Sequence, residues 1–415
     1  MATFTVTTLA DDGPGSLRQA IEFANADARP GVVDVVEFAP GLSGTITLLQ
    51  ASGALTITDD LVINGLGADA LTVSSDATAT SSAIDIFRIQ ADGIMVAFNN
   101  IAIENGEDNI EIDRESDDNI VTVTNSRIGL TQPAPAETPE LGGDDGLSID
   151  GNRNVVIVEN SILEKNEDVI SVEGNENILV VRNSTVRLAR EDGIEVDGNS
   201  NTVTVENSTI NNNGVPPDSP NDGIDVNGAA NTMFLEQVTL SSNGEDGLDV
   251  EGADNRVTVD LSTVTLNVRD GIINQSPADN PSTVTVHNSI IAGNLGPDTV
   301  GAFNSEGYNL IGRSIGFSGP GDQVGAAIDP GLGPLQDNGG PTFTHALLAT
   351  SPAINAGDPN FVTPEFDQRG PGFPRVQDGR IDIGAVESDF GVPDVEDTLT
   401  ASNSALVSDD LFMLS

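Results

Sequence analysis

The feature that most constrains this chain is an internal repeat, seen cleanly at residues 191–210 as Glu-Asp-Gly-Ile-Glu-Val-Asp-Gly-Asn-Ser-Asn-Thr-Val-Thr-Val-Glu-Asn-Ser-Thr-Ile. Its aspartate recurs at Asp108, Asp145, Asp168, Asp192, Asp222, Asp246 and Asp270, with spacings of 37, 23, 24, 30, 24 and 24 residues. The base period is therefore 23–24 residues. The two long spacings contain Pro-rich insertions, at 131–143 and 214–221, and both enter at the same phase of the repeat. Insertions at one phase map to one edge of a solenoid.

Each unit holds two short alternating runs, Ile194/Val196 and Val203/Val205, then a single apolar position at Ile210. Alternation with period two is strand patterning, because successive side chains of a strand point to opposite faces. Three short strands per unit cannot bury an apolar side alone and must stack on their neighbours. The fold class expected is all-β: a right-handed parallel β-helix with three short strands in each 23–24-residue coil. In-phase asparagines agree with this, at Asn119, Asn154, Asn177, Asn201, Asn231 and Asn255, and again at Asn125, Asn160, Asn183, Asn207 and Asn288. Stacked asparagines can hydrogen-bond between coils and tolerate left-handed turns.

Open coil ends need caps. Ser16-Leu17-Arg18-Gln19 reads as a capping box, and Leu17, Ala20, Ile21 and Ala24 form a helical apolar stripe, so a capping helix is expected over 16–26. The organisation expected is an N-terminal cap over 1–45, coils over 46–300, irregular coils and a C-terminal cap over 301–388, and an acidic tail over 389–415.

The formal net charge is −49, from 65 Asp and Glu against 16 basic residues, of which Lys165 is the only lysine. Nucleic acid and anionic membrane are thereby excluded as partners; a partner must be cationic or bridged by cations. No run of 18 apolar residues suggests a membrane span. The chain lacks cysteine, so stability must come from stacking or metal. Met1 runs directly into the alternating Thr3–Thr8 segment, with no secretory signal, so an extracellular or cell-surface location implies another export route or a removed signal.

If Ile194 and Val196 point inward, Glu195 and Asp197 point out, as do Ser148/Asp150, Ser171/Glu173, Asp225/Asn227 and Asp249/Glu251. Rungs about 4.8 Å apart suit calcium, since two carboxylates on opposite sides of one Ca²⁺ lie roughly 4.6–5.2 Å apart. The candidate metal ligands are Asp145, Asp150, Asp168, Glu173, Asp192, Glu195, Asp197, Asp222, Asp225, Asp246, Asp249 and Glu251, with Ca²⁺ as the cofactor. The alternative is a solvated, salt-adapted acidic face. The Asp192 column carries a second reading, as acceptors of backbone amides at the inside corner before Gly193.

Three segments stand apart from the repeat: Phe4 to Ile21, Leu332 to Thr342, and the set Ser351-Pro-Ala-Ile-Asn-Ala-Gly357, Asp367-Gln-Arg-Gly370 and Asp382-Ile-Gly-Ala-Val-Glu387. Together they resemble the bacterial secreted β-helix proteins known as choice-of-anchor Q domain proteins. The resemblance implies an exported surface β-helix and carries over no catalytic residues. The tail ending Ser408-Asp-Asp-Leu-Phe-Met-Leu-Ser415 resembles an uncleaved type I secretion signal.

The leading functional expectation is a secreted, calcium-stabilised structural or surface protein, namely a filament subunit, surface-layer component or adhesin. It would self-associate through coil ends or tail, or contact surface polysaccharide. The competing one is a calcium-dependent lyase, hydrolase or epimerase on anionic polysaccharide. Its candidate residues are Asp168, Asp192 and Glu195 beside Lys165, Arg187 and Arg190, against simple charge compensation. Aromatic poverty, with Tyr308 alone beside 14 Phe and no Trp, argues against a sugar-stacking groove. His287 and His345 lack metal-ligand spacing and read as surface or packing residues.

Overall fold

A computed structural model describes residues 1–27, 29, 31–76, 84–129, 145–214, 221–377 and 379–389. The insertion at 131–143, most of that at 214–221, and the tail beyond Asp389 lie outside the described residues. Among the described residues, three parallel sheets of 12, 12 and 10 strands run along the molecule, and each regular coil from Leu55 to Ile291 contributes one strand to each sheet, while the terminal coils lack a strand in the 10-stranded sheet. In the coil around the cleanest repeat, Ile194–Val196 belongs to sheet C, Thr202–Glu206 to sheet A and Thr209–Asn211 to sheet B.

The apolar positions of the repeat stack in register. Ile170, Ile194, Ile224 and Leu248 form one inward column of sheet C. Leu179, Val203 and Met233 form one of sheet A, and Val186, Ile210 and Leu240 the column of sheet B. All are at most 1% exposed. Burying each contributes about 1.5–3 kcal/mol relative to exposure, which is why a chain poor in aromatics still builds a core.

Helix α1, Leu17–Ala26, covers the N-terminal end and buries Leu17, Ala20, Ile21 and Ala24. Ser16 Oγ accepts the Gln19 amide at 3.2 Å, and Gln19 Oε1 accepts the Gly15 amide at 3.0 Å, a variant of the reciprocal cap. Stacking extends beyond the 46–300 span: sheet A already includes Thr3–Val6 and Asp34–Phe38, and sheet B continues to Gln323–Val324.

The first asparagine column is a coil-to-coil ladder. Asn177 Oδ1 accepts the Asn154 amide at 2.7 Å, and Asn177 Nδ2 donates to Gly151 O at 2.9 Å; Asn201 repeats both bonds one coil on. The accepting carbonyls belong to a glycine column whose members have no Cβ for a steric reason. A Cβ on Gly198 would lie 1.8 Å from Gly174 O. The second column does a different job, with Asn125, Asn160, Asn183, Asn207 and Asn288 at φ 48–51°, a region that asparagine enters more readily than most residues. Two further ladders escaped the sequence reading: a serine ladder, as in Ser161 N to Ser184 Oγ at 3.1 Å, and Asn213, Asn243, Asn267 and Asn294 at the corner between sheets B and C.

After the last coil the chain turns back along the outside of sheet B. An antiparallel pair, Leu332–Gln336 with Thr344–Leu347, opens this strap. Thr209 Oγ1 donates to Phe343 O at 2.6 Å, and the Thr263 hydroxyl accepts the Ala385 amide at 3.1 Å. His345 is buried, within hydrogen-bonding distance of Ser241 Oγ (2.9 Å) and Gly333 O (2.7 Å), and burial lowers its pKa, which is a packing role. Gln368, fully buried, donates to Ser208 O, Thr209 Oγ1 and Thr342 Oγ1 and accepts from Thr239 Oγ1.

The segments that carry the family resemblance clamp one another within the strap. Asp367 takes the Arg369 guanidinium at 2.6 Å and the Glu387 amide at 2.8 Å; Asp382 takes the amides of Asn355 and Ser388; Arg375 donates to Asp382 O and Gly384 O. Gln368→Ala is expected to remove three hydrogen bonds between strap and coils and to leave the Thr239 hydroxyl without its partner, at about 1–3 kcal/mol if that group stays dry. Trypsin should then cut faster after Arg369, Arg375 and Arg380; an unaltered digestion pattern would show that Gln368 does not hold the strap.

Candidate metal centre

Sheet C presents three parallel columns of polar side chains. The Asp108–Asp270 column sits at the corner leading into the sheet. The middle column runs Glu111, Ser148, Ser171, Glu195, Asp225, Asp249 in register. The trailing column, just past the strands, holds Asp150, Glu173, Asp197 and Glu251.

Corner aspartates accept backbone amides, as one reading of the sequence held, but from the neighbouring coil. Asp168 Oδ1 accepts the Asp192 amide at 2.7 Å, Asp192 Oδ1 that of Asp222 at 2.5 Å, Asp222 Oδ1 that of Asp246 at 2.6 Å, and Asp246 Oδ1 that of Asp270 at 2.5 Å. One oxygen of each is thus committed to the scaffold. Metal ligation and this structural role are compatible, because a carboxylate has a second oxygen.

Burial and neighbouring carboxylates push these groups far above the ordinary range of about 4. Burial raises Asp192 to about 9, Asp222 to about 8, Asp168 and Asp246 to about 7, and in the middle column Glu195 to about 8, Asp225 to about 7 and Asp249 to about 6. Near-neutral acids of this kind bind protons or need a counterion.

The sequence-selected ligands separate into sets. Asp192, Glu195 and Asp225 offer oxygens within 4.8 Å of one another, as do Asp222, Asp225 and Asp249. These distances fit hard cations with oxygen ligands. Asp145, Asp150, Asp168, Glu173, Asp197, Asp246 and Glu251 join none of the ligand-distance groups among the described residues. Arg114 lies between Asp150 (3.6 Å) and Glu173 (2.7 Å), supplying charge there.

A third group, Asp85, Asp108 and Glu111, was not selected from the sequence. The signal was present: Asp108-x-x-Glu111 has the same i, i+3 spacing as Asp192-x-x-Glu195, Asp222-x-x-Asp225 and Asp246-x-x-Asp249, whereas Asp145 and Asp168 are followed by Ser148 and Ser171. Here Arg88 intrudes, 2.9 Å from Glu111 and 3.1 Å from Asp113.

The basic half of the enzymatic candidate is engaged elsewhere. Arg187 lies on sheet B and pairs with Glu164 at 2.7 Å, Lys165 pairs with Glu164 at 3.3 Å, and Arg190 pairs with Glu167. These contacts are charge compensation. Glu195, by contrast, has its pKa raised by burial and by the charge of Asp168, which it faces.

A family profile described as right handed beta helix region matches residues 69–232. No curated protein matches the sequence. Among solved structures, the pectate lyase Pel9A is similar at TM-score 0.61 and 17% identity, covering 94% of this chain and 97% of its own. The A-module of the Azotobacter vinelandii mannuronan C-5 epimerase AlgE6 is similar at 0.38 and 14%, covering 73% and 99%. An alginate lyase from Paenibacillus sp. str. FPU-7 gives 0.38 and 14%, covering 72% and 99%. Coil stacking, profile and the Pel9A likeness agree that the chain folds as a right-handed parallel β-helix.

Proposed function

We propose that this protein is an extracellular, calcium-stabilised structural or cell-surface β-helix of the choice-of-anchor Q type. The observation that carries this reading is the row of carboxylates on and beside sheet C, of which Asp192, Asp222 and Asp249 are buried and Glu195 and Asp225 partly buried, all raised towards neutrality, with no guanidinium or ammonium prominent among their electrostatic neighbours among the described residues. Such a row repels itself until a cation fills it. Filled with calcium, the face could bridge to an anionic surface polysaccharide or a second copy, and the acidic tail fits export by the type I route.

The test is a thermal melt of the full chain in chelator and in calcium. Ligand bound only by the folded state stabilises by about 2.7 kcal/mol per site at a hundredfold excess over Kd, so calcium should raise the melting temperature. Coincident melts in chelator and calcium would sink the reading.

The rival is an enzyme acting on anionic polysaccharide, as the Pel9A and alginate lyase names say of those proteins. Shared fold does not carry chemistry, and the basic residues beside the acidic cluster are tied to Glu164 and Glu167. Screening pectate and alginate for unsaturated product, new reducing ends and altered uronate epimer content, with Asp192→Asn as control, decides between them; calcium-dependent turnover lost in that variant would favour the enzyme.

A further inference from the structure

Asp225 belongs to both ligand-distance groups on coils 192–251, the one with Asp192 and Glu195 and the one with Asp222 and Asp249. We infer that these five residues form a binuclear site for two calcium ions, held in successive gaps between coils and bridged by the Asp225 carboxylate. The inference rests on the calcium reading above and specifies where and in what number the ions sit.

Proximity of acids alone would not indicate a ligand. The second observation is that the second group contains a buried oxygen with nothing to bond. Asp249 is 6% exposed; its Oδ2 accepts from Gln275 Nε2 at 2.7 Å, while its Oδ1 has no partner. Asp225 is only partly buried as a residue, but its oxygens are divided in the same way: Oδ2 accepts from Asn227 at 2.9 Å, and the buried Oδ1 has no partner. A buried, unpaired carboxylate oxygen costs several kcal/mol unless something positive or protic meets it. In both residues an amide side chain holds one oxygen, which orients the carboxylate and leaves the other for an ion.

Charge supports two ions over one. Five carboxylates carry five negative charges once cations have displaced their protons. One dication would leave most of that charge uncompensated. Two, separated by roughly one coil spacing of about 4.8 Å, nearly balance it, and the bridging carboxylate screens their mutual repulsion. Calcium is favoured over magnesium because it accepts irregular oxygen shells at 2.3–2.6 Å, whereas magnesium demands near-octahedral geometry. The Asp85, Asp108 and Glu111 group serves as an internal contrast, since Arg88 already provides its positive charge.

Calcium stoichiometry by equilibrium dialysis on the full chain tests the site, with circular dichroism confirming that each isosteric variant is folded. Relative to the wild type, Asp225→Asn should lose two ions, and Glu195→Gln and Asp249→Asn one each. Terbium-to-europium energy transfer, efficient only between neighbouring ions, should be present in the wild type and absent in Asp225→Asn. If Asp225→Asn loses one ion or none while the wild type binds calcium and is stabilised by it, the bridge is wrong and the calcium reading survives. If the wild type neither binds nor is stabilised, both fall.

Discussion

In chelator, the melting temperature is expected to fall continuously as pH rises from about 5 to about 9, a direction opposite to ordinary acid denaturation. Asp192, Glu195, Asp222, Asp225, Asp246 and Asp249 have folded-state pKa values of about 6 to about 9, against about 4 in an unfolded chain. The folded state therefore binds more protons than the unfolded one throughout that window. Stability falls with pH wherever that holds. It is fully present below the unfolded pKa and is lost as pH rises through the folded values. Calcium should flatten the curve, because cations replace protons on the same oxygens. A chelated protein whose melting temperature is constant over pH 5–9 would show that these carboxylates are ionised and solvated, as the salt-adapted alternative requires.

Gly198→Ala is expected to be among the most damaging single substitutions in the molecule. Its new methyl would meet Gly174 O at 1.8 Å, and that carbonyl is also the acceptor for Asn201 Nδ2 at 3.0 Å. Relief requires the coils to part, which stretches the sheet C pairing of Val172 with Val196 and the asparagine ladder together. Overpacking of this kind costs about 1–3 kcal/mol, and a severed buried hydrogen bond adds about 1–3 kcal/mol. Gly93→Ala, at a turn where an added Cβ meets nothing within 4 Å, separates steric from conformational cost, since its φ of 66° still disfavours a side chain. A denaturant midpoint for Gly198→Ala equal to that of Gly93→Ala would refute the close-approach argument.

The coil was legible because its determinants are local and repeated. Ile194, Val196, Val203, Val205 and Ile210 announce three strands by alternation, and each recurrence of the aspartate fixes the phase. The helix was legible for a similar reason, since Ser16 and Gln19 lie three residues apart. The strap was not: Gln368 lies 159 residues from Thr209, and nothing in either segment's periodicity joins them. The site stands between these cases. Glu195, Asp225 and Asp249 were selected by outward parity, and Asp192 and Asp222 as members of the recurring corner column, but parity also selected Asp150 and Glu173, because the reach of Arg114 over both is a property of side-chain conformation across coils. Glu111 was passed over although its i, i+3 spacing from Asp108 matched the others.

The strap gives the rod a mechanical polarity. Coils in a solenoid ordinarily touch only their neighbours, so a pull on one end peels them away singly. Here the returning segment is fastened to Ser208, Thr209, Thr239, Ser241, Thr263 and Asn288, lying across successive rungs like a splint. Tension at the C-terminal end must shear those bonds together before any coil from Thr209 to Asn288 can open, whereas at the N-terminal end the described covering element is α1.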